Sequence, residues 1–153
     1  MIDDPSTRAG YLAWQFGQAV TQRLERALRP LDLSLAQLGC LTQVGSSPGI
    51  SSAEVARRAG LTAQSMGAAV SGLIARGLLT RSPHPTNRRV LELRLTGTGL
   101  TLAARAQQLA DEVQQQMFEV LSTGEQATVH ALLHRLLEHN FPEALYRYGP
   151  TPR

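Results

Sequence analysis

The chain has 153 residues, a formal net charge of +3 and a sequence pI near 9.7. That length suits one domain or one protomer of an interlocked dimer. Its one cysteine excludes an internal disulfide and points to a reducing compartment. No apolar run is long enough to span a bilayer. The start, with Asp3 and Asp4, lacks the basic-then-apolar pattern of a secretory signal. A cytoplasmic protein is the expectation.

Residues about 6 to 29 read as a first long helix. Leu12, Phe16, Val20, Leu24 and Leu28 share one face, and Ala13, Trp14 and Gly17 lie toward another. A helix that is apolar on more than one side must be covered on more than one side. Pro30 ends it. Ser34 and Gln37 form a capping box that opens a second helix through about Val44, with Leu38, Leu41 and Val44 inward. The loop Gly45-Ser46-Ser47-Pro48-Gly49 matches G-x-S-x-G. A nucleophile elbow needs a preceding strand, a following helix and a large sheet. Here a helix precedes and a proline follows the serine, so the loop reads as a helix-ending turn.

The most informative stretch is Ser51 to Thr96. Ser51 with Glu54 predicts another capping box. Val55, Ala56 and Ala59 give this short helix an inward face, and Gly60 supplies the left-handed position that ends it. Leu61 fills the turn and Thr62 caps the next helix. There Met66, Ala69, Val70, Leu73 and Ile74 form a buried stripe, and Gly77 closes the helix. Two helices joined by so short a turn meet at a wide angle, as in a helix-turn-helix. Leu78 to Arg81 is a short strand candidate. Val90 to Leu95 alternates, with Leu91, Leu93 and Leu95 on one face. Between them lies the polar loop SPHPTNRR. A hairpin after a helix-turn-helix makes a winged helix.

Thr96 or Thr98 caps a long helix running to about Leu121, with Leu102, Ala106, Leu109, Val113, Met117 and Val120 as its stripe. It is too long for a small winged-helix core to cover. Ser122 and Glu125 predict a third capping box. The last helix carries Val129, Leu132, Leu133, Leu136 and Leu137 and ends before Pro142. The tail FPEALYRYGPTPR has aromatics that need a partner surface. The terminal helices therefore read as dimerisation elements. Two recognition helices about 34 Å apart would then read successive major-groove faces of a palindrome. The expected fold is mainly α with a small β-hairpin wing, in one unit spanning 1–153. Residues about 6–33 and 97–146 form the dimerisation helices, and about 34–96 the DNA-binding lobe.

Charge follows this division. From Ser51 to Thr96 seven arginines stand against Glu54 and Glu92, while residues 1–50 balance and the rest is net acidic. The basic excess coincides with the DNA-reading unit, as an electrostatic footprint should. The start of the second helix faces base edges. This selects Gln64, Ser65, Ala68 and Ser71, opposite the Met66, Val70 and Leu73 stripe. Gln64 can pair bidentately with adenine, and Ser65 can bond a base or a phosphate. Ser52 and Thr62 sit at helix starts, where amides and hydroxyls hold phosphates. Arg89, with Arg88 beside it, is the wing residue placed for the minor groove.

These features together resemble the MarR-type (multiple antibiotic resistance regulator) transcription factors. The resemblance rests on Leu33-Ser34 with Gln37 and Leu41, on GLT followed by GLIARGLLTR, on P-T-N-R-R in the wing, and on Leu95-Thr96 with Gly99. It covers nearly the whole chain. It implies a homodimeric repressor whose first and last two helices interleave with a twofold mate. It also implies a palindromic operator in double-stranded DNA, released by a small, often phenolic or aromatic carboxylate ligand bound between the dimerisation helices and the DNA-reading lobe. Two residues depart from the pattern. Position 68, commonly polar or basic, is Ala68 beside Gly67. The wing aspartate two residues before the arginine is replaced by Asn87, which cannot form a salt bridge.

Several residues carry a plainer reading beside a functional one. Cys40 reads as core, although an oxidant sensor through it is an alternative. His130 and His134, four apart with Glu138 continuing the row, lack a third ligand at clear spacing and read as a solvated face rather than a metal site. Trp14 reads as a core or interface residue, with a ligand-pocket wall as the second option. No cofactor is expected. No polar constellation supports an enzyme. The thin donor content of Gln64 to Ser71 keeps a second class open, a winged-helix dimer that serves as a protein-interaction module.

Overall fold

A computed structural model describes residues 4–145. After a 3₁₀ turn at Pro5–Thr7 come helix α1 (Ala9–Leu28), a second 3₁₀ turn (Arg29–Leu31), α2 (Leu35–Ser46), α3 (Ser52–Ala59) and α4 (Ala63–Ala75). Strands β1 (Leu79–Pro83) and β2 (Leu91–Leu95) follow, then α5 (Gly97–Phe118), α6 (Thr123–Asn140) and a closing turn at Pro142–Ala144. The predicted winged helix with long terminal helices is the observed fold. Boundaries shift slightly. The first strand runs Leu79–Pro83 rather than Leu78–Arg81, and α5 stops at Phe118, which leaves Val120 84% exposed rather than on the helical stripe.

The core lies within the winged-helix part of the chain. Leu28, Leu33, Cys40, Leu41 and Val44 meet Val55, Met66, Val70 and Leu73, closed above by Leu79, Leu93 and Ala106. Helices α2 and α4 approach closely: a Cβ at Gly72 would lie 2.9 Å from Gln37 Nε2. The strands pair antiparallel, with Leu79 opposite Leu95 and Arg81 opposite Leu93. The turn after α2 does more than end a helix. Gly49 N–H donates to the Leu93 carbonyl at 2.8 Å and Leu93 N–H to the Ile50 carbonyl at 3.0 Å, so residues 49–51 add a rung to the far edge of β2. Ser47 sits at the end of α2 with no strand before it, which removes the elbow geometry from G-x-S-x-G.

Most caps follow the sequence. Ser34 and Gln37 bond reciprocally, as do Ser122 and Glu125. Thr62 and Thr96 each accept from the amide three residues on, so Thr96 and not Thr98 opens α5. The Ser51 box is only half made. Ser51 Oγ accepts from Glu54 N–H, but the Glu54 carboxylate turns to Arg57 and Arg58, because two guanidinium groups outcompete one amide. Gly60 and Gly77 adopt φ of 64° and 70°, the left-handed conformation that a helix end requires.

The C-terminal end of α4 is anchored on both sides. Thr96 Oγ1 donates to the Gly77 carbonyl at 2.8 Å, and Thr96 N–H donates to Leu78 at 3.1 Å. Gly99 packs so closely that any Cβ there would overlap the Leu78 carbonyl oxygen. On the other side Arg76 donates to the carbonyls of Asp32 (2.6 Å) and Leu31 (3.0 Å), bridging α4 to the turn between α1 and α2. Asp32 is left-handed at φ 51°.

The terminal helices leave apolar surface uncovered. No residue of α6 is buried, and Leu132, Leu133, Leu136 and Leu137 are all exposed. Leu12, Trp14 and Phe16 of α1 are exposed as well, though the Phe16 ring meets Phe118 edge-on at 5.4 Å. Phe141 finds part of its cover within the chain, its ring lying over Gly60. Tyr146 and Tyr148 of the tail lie outside the described residues.

Candidate nucleic-acid interface

Helix α4 is two-faced for a simple reason. Met66, Ala69, Val70 and Leu73 recur at helical spacing and are buried, so the residues between them must face out. Gln64, Ser65, Ala68 and Ser71 are exposed together on that outer face. Among the described residues Gln64 and Ser71 make no side-chain hydrogen bond. Thr62 Oγ1 accepts from Ser65 N–H at 3.1 Å and donates to Ser65 Oγ at 3.0 Å. Ser65 keeps its hydroxyl proton for an outside acceptor. Ser52 is half-buried at the start of α3.

The seven arginines of the lobe are not equivalent. Arg57 and Arg58 bind Glu54 (Nε to Oε2 2.9 Å and Nε to Oε1 2.6 Å), and Arg58 is buried. The Arg57 hydrogen bond, with help from Arg58, holds the Glu54 carboxyl down to about 2 against the opposing effect of burial. Arg94 binds Glu92 at 3.1 Å, and Arg76 is committed to backbone carbonyls. Arg81, Arg88 and Arg89 are exposed, and among the described residues their guanidinium groups have no partner. The field is therefore concentrated on the hairpin. Arg81 was not singled out from sequence; its position in a strand of basic excess was the available signal. Asn87 does not hold the Arg89 side chain. Its Oδ1 accepts from Arg89 N–H at 3.3 Å, so it shapes the loop backbone instead.

The other candidates fall elsewhere. Cys40 is 0% exposed and burial pushes its thiol up to about 11, so the oxidant-sensor reading loses the accessible thiolate it needs. Trp14 is 59% exposed, its ring 6.0 Å from that of Tyr11. It borders neither the cleft of about 780 Å³ between α5 and α6 nor the smaller cavity of about 150 Å³ between α1 and α5. His130 and His134, both exposed, border the larger cleft beside Phe118 and Leu133, with His134 Nδ1 4.0 Å from Glu138. No helix of the described residues is long and apolar enough to cross a membrane.

Comparison with known proteins agrees with this geometry. A family model described as MarR family matches residues 31–90. The chain is 32% identical over 127 residues to the HTH-type transcriptional repressor Rv2887 of Mycobacterium tuberculosis, covering 83% of this chain and 91% of that protein. The crystal structure of Rv2887 in complex with salicylic acid superposes with a TM-score of 0.71 over 84% of this chain and 96% of that one. The transcriptional repressor CouR bound to a 23-mer DNA duplex superposes with a TM-score of 0.79 at 25% identity, over 89% of this chain and 99% of that one. With an outward polar face on α4, an arginine-tipped wing beside it and these relatives, the chain belongs to the MarR family of winged-helix transcriptional regulators.

Proposed function

We propose that this chain is a homodimeric, sequence-specific repressor that binds a palindromic operator and is released by a small aromatic or phenolic ligand. The observation that carries the reading is the division of surfaces: exposed polar and basic side chains on α4 and the hairpin, and uncovered apolar side chains on α1 and α6. The first set suits DNA, and the second needs a copy of the chain to bury it. In this reading residues about 6–33 and 97–146 make the dimer and about 34–96 read DNA. Gln64, Ser65, Ala68 and Ser71 enter the major groove, Ser52 and Thr62 hold phosphates, and Arg88 and Arg89 reach the neighbouring minor groove. With few donors on α4, readout leans on thymine methyls and groove shape.

Ligand release follows if a small molecule between the dimerisation helices and the DNA lobe changes the spacing of the two α4 helices. The Arg76 and Thr96 anchors support this, since they tie α4 to both neighbouring dimerisation segments. Rv2887 holds salicylic acid, which makes salicylate the first ligand to try. Trp14, exposed on α1, joins a pocket only if the mate supplies the other wall.

The test is fluorescence anisotropy on the DNA upstream of the protein's own gene against scrambled DNA across a salt series, with light scattering for mass. Dimer mass, selective binding with a steep salt dependence, and release by salicylate support the whole reading. Selective binding untouched by aromatic carboxylates removes only the ligand. A dimer that cannot tell the two DNAs apart favours the protein-interaction module.

A further inference from the structure

The loop between β1 and β2 is organised by one imidazole. His84 is half-buried at the end of the hairpin, and its Nδ1 faces three donors: the amides of Thr86 and Asn87 and the hydroxyl of Thr86, each at 3.2 Å. A ring nitrogen that meets two backbone N–H groups must offer its lone pair, so the ring proton sits on Nε2. That side points toward Glu92 Oε1 at 3.6 Å, and the other oxygen of Glu92 accepts from Arg94 at 3.1 Å. His84 N–H donates to Val90 at 2.8 Å and Val90 N–H to Asn87 at 2.9 Å, which closes the loop. Asn87 completes it by accepting from Arg89 N–H.

We propose that His84 is the positioning residue of the wing: its neutral imidazole latches the turn at Thr86 and Asn87 and so holds Arg88 and Arg89 at the tip. The inference rests on the reading above that the wing contacts DNA. Its physical content is preorganisation. The two arginines have no partner within the described residues, so only the backbone fixes where their guanidinium groups start from. A loop ordered before binding does not have to be ordered by the duplex. No salt bridge from position 87 is available to do this, and the hydrogen bonds at Nδ1 take its place.

The latch has a sign that distinguishes it from a phosphate contact. Protonating Nδ1 removes the lone pair and turns an acceptor into a donor facing two donors. The charged groups around the ring are Glu92, 3.6 Å from Nε2, Arg94 behind it, and Arg88 and Arg89 along the loop. If His84 merely touched phosphate, acid would strengthen DNA binding. If it latches the loop, acid weakens binding, because a protonated Nδ1 can no longer accept from the loop amides.

The test uses the intact dimer and a duplex selected from a random library against the wild-type chain. His84→Ala is expected to weaken binding by about tenfold with the salt slope unchanged, because order is lost and no phosphate contact is. His84→Asn is expected to bind as wild type does, since a short side-chain amide can accept the same backbone N–H groups, and to lose the weakening between pH 8 and 5.5. His130, His134 and His139 are common to all variants, so the difference isolates His84. Undiminished binding by His84→Ala, or wild-type binding that strengthens in acid, overturns the proposal. A second readout stands apart from DNA: nitrogen-15 spectra should show the Nε2–H tautomer and Thr86 and Asn87 amides that shift between pH 8 and 5.5. Amides that stay still overturn the latch. Amides that shift in a protein that selects no duplex uphold the latch while removing the DNA reading.

Discussion

Replacing Glu54 by glutamine should destabilise the protein near neutrality and cease to matter in acid. The carboxylate accepts from Arg57 at 2.9 and 2.7 Å and from Arg58 at 2.6 Å, and the Arg58 side chain is only 7% exposed. Folding lowers the carboxyl from 4.5 to about 2, led by the Arg57 bond. At about 1.4 kcal/mol per pH unit the full shift corresponds to roughly 3 kcal/mol. Arg57 is 56% exposed and water screens its share, so about 1–2 kcal/mol is the expectation. The sign follows from the depressed value: the stabilisation is complete above about 4.5 and is lost as the pH falls through about 2. Urea unfolding of wild type and Glu54→Gln at pH 7, 4 and 2.5 measures it. The gap should be widest at pH 7 and narrow at pH 2.5. A gap that is absent at pH 7, or equally wide at all three values, refutes the assignment of Glu54 as the anion that balances these two arginines.

Arg89→Ala should cost on the order of 1–3 kcal/mol in operator binding and lower the salt slope by about one, measured by anisotropy at matched salt; binding equal to wild type would take the wing out of the groove. Gly67 lies on α4 with nothing within 4 Å of where a Cβ would stand. Gly67→Ala should therefore raise the unfolding free energy by about 0.5–1 kcal/mol while weakening operator binding, the result expected if the helix approaches DNA closely there. Unchanged affinity would show that the glycine is not needed for approach. Gly99→Ala should destabilise severely, because the added methyl overlaps the Leu78 carbonyl; thermal unfolding close to that of wild type would contradict the packing of α5 on the hairpin. Leu132→Glu with Leu136→Glu should convert dimer to monomer in light scattering and abolish selective DNA binding, and an intact dimer would place the interface elsewhere.

Much of the molecule was legible in one dimension because its elements are built from local rules. Helix starts at Ser34, Thr62, Thr96 and Ser122, left-handed ends at Gly60 and Gly77, and the buried stripe of α4 depend on residues within a few positions of one another, and the outward face of α4 follows from that stripe. What the sequence could not show are the choices made between distant groups. Glu54 could cap its own helix or pair with Arg57 and Arg58, and the stronger charge-assisted bonds decided. Seven arginines formed one basic count, but only the tertiary structure separates those committed to Glu54, Glu92 and the Leu31–Asp32 carbonyls from Arg81, Arg88 and Arg89. The turn at Gly49 became a rung on β2, and Gly99 a point of close approach, because segments far apart in the chain meet there. The loop PHPTNRR was readable as a wing from its prolines and arginines. That His84 turns its ring inward to hold the loop amides was not, since nothing local to an imidazole says which of its nitrogens will find a partner.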